Sequence, residues 1–66
     1  MHMGGGIIIQ QNSAVKAAVQ SPAVWSQLPA PCLPKATEIC NKGCAEWTEE
    51  DYVYMVMMCV MARRAG

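Results

Sequence analysis

The stretch that decides the fold is residues 47–66, WTEEDYVYMVMMCVMARRAG, which we interpret as one helix. Thr48 has the residue type of an N-cap, and Asp51 stands three residues on, in place of the Glu or Gln of a capping box. Three acids in the first turn and two arginines in the last match the helix dipole. Eleven apolar residues, 52–62, lie between these ends. The sequence therefore predicts a capped apolar helix over residues 48–64.

Size and composition indicate a single small domain over residues 1–66 with more apolar material than it can easily bury. A chain of 66 residues has a marginal core, which a disulfide, a metal or a partner often completes. Hydrophobic residues make up 53% of the chain and charged residues only 15%. We therefore expect part of the apolar surface to meet a protein partner or a second copy of the chain.

Charge and helix length exclude two classes of partner. Five basic and five acidic residues give a formal charge of zero, so the clustered Lys and Arg that bind nucleic acid are missing. A neutral chain is also poorly protected against self-association. Eleven apolar residues span roughly 16 Å as a helix, about half of a hydrocarbon core. We expect neither nucleic-acid binding nor a transmembrane segment.

The N-terminal half predicts two short helices. Three glycines make residues 1–6 a candidate flexible end, and the β-branched residues 7–9 prefer extended backbone unless tertiary contacts override them. Val15, Ala18 and Val19 have helical spacing, which predicts a helix from Ser13 to Gln20, beginning at Gln10 at the earliest. Proline then stops this helix and opens a second one, Pro22–Leu28.

The middle of the chain contains a proline-rich boundary and a third helix. Two prolines spaced two apart predict an extended linker over residues 29–33. A helix is expected from Pro34 to Lys42, with Gly43 in left-handed conformation after it. The sequence as a whole predicts an all-α bundle of three to four short helices around helix 48–64. A strand over residues 52–60 is the main alternative, because the stretch YVYMV at residues 52–56 also suits a sheet.

The cysteines allow three interpretations. If helices 34–42 and 48–64 form a hairpin, Cys32 and Cys59 lie at similar heights, so the hairpin 34–64 would be stapled by Cys32–Cys59 together with Cys40–Cys44. Four reduced thiols are the second interpretation. A metal or redox site is the third and is poorly supported, since the spacing contains no CxxC pair. Oxidised cysteines would indicate an extracellular protein, and reduced ones a cytoplasmic protein.

The remaining candidate chemistry does not predict an enzyme. His2 is the single histidine and has no carboxylate or nucleophile near it in sequence. The acids Glu49, Glu50 and Asp51 are explained by capping and by the helix dipole. The glycine triplet follows no strand and precedes no Lys-Ser or Lys-Thr pair, so it is not a phosphate loop. We predict no catalytic residue, no cofactor and no metal.

Function is therefore predicted only at the level of class. The first hypothesis is a non-catalytic interaction or accessory protein, which would present its apolar residues to a partner or to itself. The predicted interaction surface consists of Ile7, Ile8, Ile9, Val24, Trp25, Met57 and Met61. The alternative is a mature secreted, disulfide-stapled effector, toxin or signalling peptide. A cysteine-based redox or metal-binding protein comes third.

Overall fold

Helices dominate the structure. The computed structural model describes residues 4–65, with side chains described for residues 9–64. Residues 4–65 form four α-helices and two 3-10 turns, and contain no strand. The helices are α1 (Gly4–Gln20), α2 (Pro22–Trp25), α3 (Leu33–Cys40) and α4 (Glu49–Ala65), and the turns are Ala30–Cys32 and Cys44–Glu46. The predicted all-α class is confirmed, and residues 52–60 are helical and not extended.

The start of α4 is capped as its sequence predicts. The backbone N–H of Asp51 donates to Thr48 Oγ1 at 3.1 Å, and the backbone N–H of Thr48 donates to Asp51 Oδ2 at 3.0 Å. This reciprocal pair is a capping box in which aspartate replaces the usual Glu or Gln. Lys42 Nζ lies 2.8 Å from the same Asp51 oxygen. One carboxylate therefore fixes both the first turn of α4 and the segment that follows α3.

α1 is longer than the sequence predicted, because it begins at Gly4 and not at Ser13 or Gln10. Glycine and β-branched residues have weak helix propensity, so residues 4–9 carry little local signal for a helix. α1 as a whole packs against α4 and the Cys44–Glu46 turn, and packing of this kind stabilises helices more than propensity does. Residues 1–3, which include His2 and half of the segment predicted to be flexible, lie outside the described residues.

The connection between α2 and α3 is partly as predicted. Ser21 caps α2 through its hydroxyl, which accepts from the N–H of Val24 at 3.4 Å, and Pro22 occupies the first helical position. The linker over residues 29–33 was predicted to be extended, and this prediction is wrong beyond Pro29. Residues 30–32 form a 3-10 turn, closed by a hydrogen bond from the N–H of Cys32 to the carbonyl of Pro29. The φ that proline imposes fits this turn as well as it fits an extended chain.

Gly43 does not adopt the left-handed conformation predicted for it. Its φ of −66° and ψ of 147° are those of extended backbone, and α3 already ends at Cys40. The chain then passes through Gly43 into the Cys44–Glu46 turn, where the N–H of Glu46 donates to the carbonyl of Gly43 at 2.8 Å. The glycine is therefore not required by its backbone angles.

The core lies between the inner face of α4 and the three other helices. The backbone of α4 packs against α1 and α2, while side chains of α3 complete the cluster. Trp47, just before α4, donates its indole N–H to the carbonyl of Ile39 at 3.0 Å in a buried position. This bond joins the end of α3 to the entrance of α4. The buried apolar residues are Val19, Leu28, Ala36, Ile39, Cys40, Trp47, Met55, Met58 and Ala62.

The predicted disulfides are wrong, because all four cysteines, each within the described residues, are free thiols. Cys32 lies in the 3-10 turn before α3, and its carbonyl accepts a hydrogen bond at 3.4 Å from the hydroxyl of Tyr54, which is five residues before Cys59 on α4.

Cys40 and Cys44 are not joined, and the two residues lie against different turns of α1. The Cys40 thiol lies near the charge of Lys16 and the side chain of Gln20, close to the end of α1. The carbonyl of Cys44 instead accepts a hydrogen bond from Asn12 Nδ2, one turn earlier on the same helix, at 2.9 Å. Helices α3 and α4 are therefore joined by hydrogen bonds and packing, and the disulfide-linked hairpin predicted over residues 34–64 is not present.

Candidate functional site

The most distinctive surface of the described residues is on α4, which is apolar on two opposite faces. The inner face is buried and carries Asp51, Met55, Met58 and Ala62 at helical spacing. The opposite face carries four large apolar side chains that remain 39–53% exposed. We call these four the outer stripe: Val53 (48%), Met57 (53%), Val60 (47%) and Met61 (39%).

Neighbouring elements hold both flanks of α4, so the outer stripe is on a fixed support. On one flank, Tyr54 bonds to the Cys32 carbonyl, and the Lys35 ammonium lies 4.8 Å from the centre of the Tyr54 ring. Burial and the contact with Cys32 raise the pKa of the Tyr54 hydroxyl, so it stays protonated as a donor. On the other flank, Val56 and Cys59 share a groove of about 340 Å³ with residues of α1.

Charged residues border the outer stripe at its two ends. Glu49 and Glu50 are exposed in the first turn of α4, and Arg63 and Arg64 are exposed in the last. Each pair has the sign that the helix dipole stabilises. Between these ends the outer stripe itself carries no charge. The face is therefore an uncharged strip with an acidic and a basic end.

A shallow depression extends the outer stripe towards α3. It has a volume of about 450 Å³ and is lined by Lys35, Glu49, Glu50, Val53, Tyr54 and Met57. Its lining combines Val53, Tyr54 and Met57 of α4 with the charged side chains of Lys35, Glu49 and Glu50. Protein interaction surfaces likewise combine apolar and polar side chains.

A second groove, of about 430 Å³, lies between α1 and the start of α4. It is lined by Gln11, Asn12, Trp47, Thr48, Glu49 and Tyr52. Two of its polar side chains already have partners, because the buried Asn12 donates to the Cys44 carbonyl and the exposed Thr48 caps α4. No buried side-chain nitrogen or oxygen of the described residues lacks a hydrogen-bond partner. Asn12 and Thr48 in this groove are therefore engaged within the fold itself.

The predicted interaction residues are only partly brought together. Met57 and Met61 lie in the outer stripe, and Ile9 is 43% exposed on α1. Val24 and Trp25 are half-buried on α2 and pack against the core. The side chains of Ile7 and Ile8 lie outside the described residues.

Sequence reasoning missed Val53 and Val60 as members of this surface. Their spacing relative to Met57, four residues before and three after, is a helical-face signal that was available in the sequence. An apolar helix gives this signal on every face, however. Only the positions of α1 and α3 decide which face stays exposed.

Two of the four thiols lie in surroundings that lower their reactivity. Burial raises the pKa of the Cys40 thiol, and Lys16 only partly offsets this effect. Burial likewise raises the pKa of the Cys59 thiol, with a smaller opposing effect from Arg63. Because the thiolate is the nucleophile and the metal ligand, a raised pKa makes both cysteines less reactive. Among the described side chains, no three His, Cys, Asp or Glu residues converge to hold a metal ion.

Comparison with known proteins adds no relative. No protein-family model, curated protein or solved structure matches this chain. Within residues 4–65, no helix has both the length and the apolar character needed to cross a bilayer.

Proposed function

We propose that this chain is a non-catalytic interaction or accessory protein that binds a protein surface through the outer stripe of α4. The observation that carries the proposal is one continuous row of exposed apolar side chains on a helix whose opposite face is packed into the core. Single exposed apolar residues are common on proteins, but contiguous ones mark interaction surfaces.

The geometry of the outer stripe suits recognition by a helix face. Val53, Met57 and Val60 follow the i, i+4, i+7 spacing with which helices insert anchors into a groove or against another helix. Methionine is flexible and polarisable, so Met57 and Met61 can adapt to the shape of a partner. The helix itself is held by its capping box and by Tyr54, which lowers the entropy lost on binding.

The state of the polar groups supports a role without catalysis. The Asp51 carboxylate is already engaged by Lys42 and by the backbone of Thr48. Two of the thiols, those of Cys40 and Cys59, have raised pKa values. The four free thiols do not support the alternative of a disulfide-stapled secreted peptide. A formal charge of zero supports a protein as the partner and not a nucleic acid.

Site-specific photocrosslinking in the source cells tests this proposal. Benzoylphenylalanine replaces Met57 in the outer stripe or, as a control, Glu38, which is exposed on α3. We expect irradiation to give a defined protein adduct at position 57, either with a second copy or with another protein, and no matching adduct at position 38.

A matched variant checks that the adduct depends on the outer stripe. Replacing Val53 and Val60 by Ser should reduce the adduct at position 57 at least about fivefold, because it removes the neighbouring anchors. Equal adducts at the two crosslinker positions, or none at position 57, would show that the outer stripe is not an interaction surface.

A further inference from the structure

Four positions on the face of α4 that carries the outer stripe are placed symmetrically about Met57. Glu50 lies seven residues before Met57, and Arg64 lies seven residues after it. Closer in, Val53 lies four residues before and Met61 four residues after. Reversing the direction of α4 about Met57 thus exchanges an acid for a base and one apolar residue for another.

The spacing on this face is that of a coiled-coil seam. The residues Glu50, Val53, Met57, Val60 and Arg64 are separated alternately by three and four positions. This alternation keeps one narrow row of side chains facing a partner helix. The apolar members are all exposed, and so are the two charged ends, whereas the core uses the opposite face.

We propose that the partner of the outer stripe is a second copy of this chain, whose α4 packs antiparallel across a two-fold axis at Met57. This inference rests on the proposed function and names its partner. In this arrangement Glu50 of each copy meets Arg64 of the other, about 10 Å from the axis along the helix. Val53 of each copy meets Met61 of the other, and the two Met57 side chains touch at the centre.

Charge selects the antiparallel orientation. A parallel pair would place Glu50 against Glu50 and Arg64 against Arg64, and like charges at an interface oppose association. The antiparallel pair joins opposite charges at both ends and also aligns the two helix dipoles favourably. Since the chain has a formal charge of zero, no long-range repulsion separates the copies.

The size of the outer stripe sets the expected affinity. A standard interface buries about 800 Å² on each partner, and four half-exposed side chains with two charged ends provide less than that. We therefore expect a weak dimer, with a dissociation constant on the order of 100 µM.

Charge reversal at the two ends tests the dimer. Sedimentation equilibrium is measured from about 10 µM to 1 mM in reducing buffer, which prevents intermolecular disulfides. The variants Glu50→Arg and Arg64→Glu each place like charges at both ends of the pair. Each should weaken self-association about tenfold or more. An equimolar mixture of the two variants should restore dimers to within about threefold of wild type, because both ends again join opposite charges.

Matched controls separate pairing from effects on the helix. Glu49→Arg and Arg63→Glu cause the same changes in net charge and in the helix dipole, but lie one position off the seam. They should change self-association less than about threefold, and circular dichroism should show that all four variants keep their helices.

The outcomes also separate this inference from the function it rests on. A wild-type chain that stays monomeric at 1 mM, or single variants that dimerise like wild type, would overturn the antiparallel dimer. If position 57 nevertheless crosslinks to a different protein, the interaction function stands and only the second copy is rejected. If the chain dimerises but position 57 gives no adduct, both the outer stripe and this dimer are rejected.

Discussion

At the scale of the residue, Asp51 contributes through both its charge and its hydrogen bonds. Its pKa lies below the ordinary value of 3.8, first because Lys42 donates a hydrogen bond and next because the backbone of Thr48 donates another. The unfolded chain therefore holds the Asp51 proton more tightly than the folded chain does. The carboxylate stabilises the fold above the unfolded-state pKa, and this stabilisation is lost as the pH falls through the lower folded-state pKa.

Replacing Asp51 by Asn tests this contribution. We expect Asp51→Asn to lower the free energy of unfolding at pH 7 by about 1 to 2 kcal/mol, because the charged partner of Lys42 is lost and the cap is weakened. The variant should also lose less stability than wild type when the pH falls from 5 to 2.5, since it lacks the proton-binding step. Urea denaturation across this pH range measures both effects.

The control for Asp51 is Glu49→Gln, which removes an exposed carboxylate from the same first turn. Its stability at pH 7 should change by less than about 0.5 kcal/mol. An acid-induced loss of stability that is unchanged in Asp51→Asn would show that the carboxylate is not coupled to folding. The raised pKa of Lys42, caused first by the bond to Asp51, extends the stabilising effect of the pair up to alkaline pH, where it is lost as Lys42 deprotonates.

A second prediction at this scale concerns Gly43. Its backbone angles suit alanine, and a methyl group there would meet nothing closer than the Glu46 side chain at 4.0 Å. We expect Gly43→Ala to leave stability unchanged or raise it by up to about 1 kcal/mol, because alanine restricts the unfolded chain. Thermal unfolding monitored by circular dichroism measures this change. A loss of more than about 1 kcal/mol would indicate the left-handed backbone that the sequence suggested.

At the scale of the element, the two faces of α4 should respond differently to truncation. Met55 is completely buried, whereas Met57 is 53% exposed on the same helix. Met55→Ala should cost about 2 to 5 kcal/mol, because it leaves a cavity in the core. Met57→Ala should cost less than about 0.5 kcal/mol at low protein concentration. Urea unfolding followed by tryptophan fluorescence compares the two variants, and equal costs would contradict the assignment of faces.

A helix could be predicted accurately where its ends carry local sequence signals such as capping residues and charges. Both ends of α4 carry local signals, an N-cap and charges matched to the dipole, so the predicted bounds 48–64 differ from Glu49–Ala65 by one residue. The first turns of α1 carry none, because glycine and isoleucine are weak helix formers. The local pattern of these residues therefore did not indicate that the helix begins at Gly4.

The sequence predicted that α4 would expose apolar side chains, but it did not predict which residues form the outer stripe. The sequence showed that residues 52–62 are apolar on every side, so exposed apolar surface was expected, and Met57 and Met61 were named. Val24 and Trp25, which were also named, are half-buried on α2 and pack against the core, so their part in an interaction surface stays a prediction. Which side of α4 is covered depends on how α1, α2 and α3 dock, and that is tertiary information.

At the scale of the whole molecule, the thiol count tests the fold directly. We expect iodoacetamide to modify all four cysteines after denaturation without prior reduction, because none is in a disulfide. In the native protein Cys40 should react most slowly, since it is only 8% exposed and burial raises the pKa of its thiol. Mass spectrometry with peptide mapping measures both. Fewer than four modifications under denaturing conditions would revive the disulfides.

The buried carboxamide of Asn12 has a consequence for how narrowly the native state is defined. Methyl and thioether groups hold α1 against its neighbours, and such contacts are nearly equally favourable after a helix slides or rotates by one turn. The bond from Asn12 to the carbonyl of Cys44 is directional, and sliding by one turn would leave the Asn12 carboxamide, which is only 3% exposed, without its partner. Asn12 therefore helps to select one arrangement of a small apolar interior over several of nearly equal free energy.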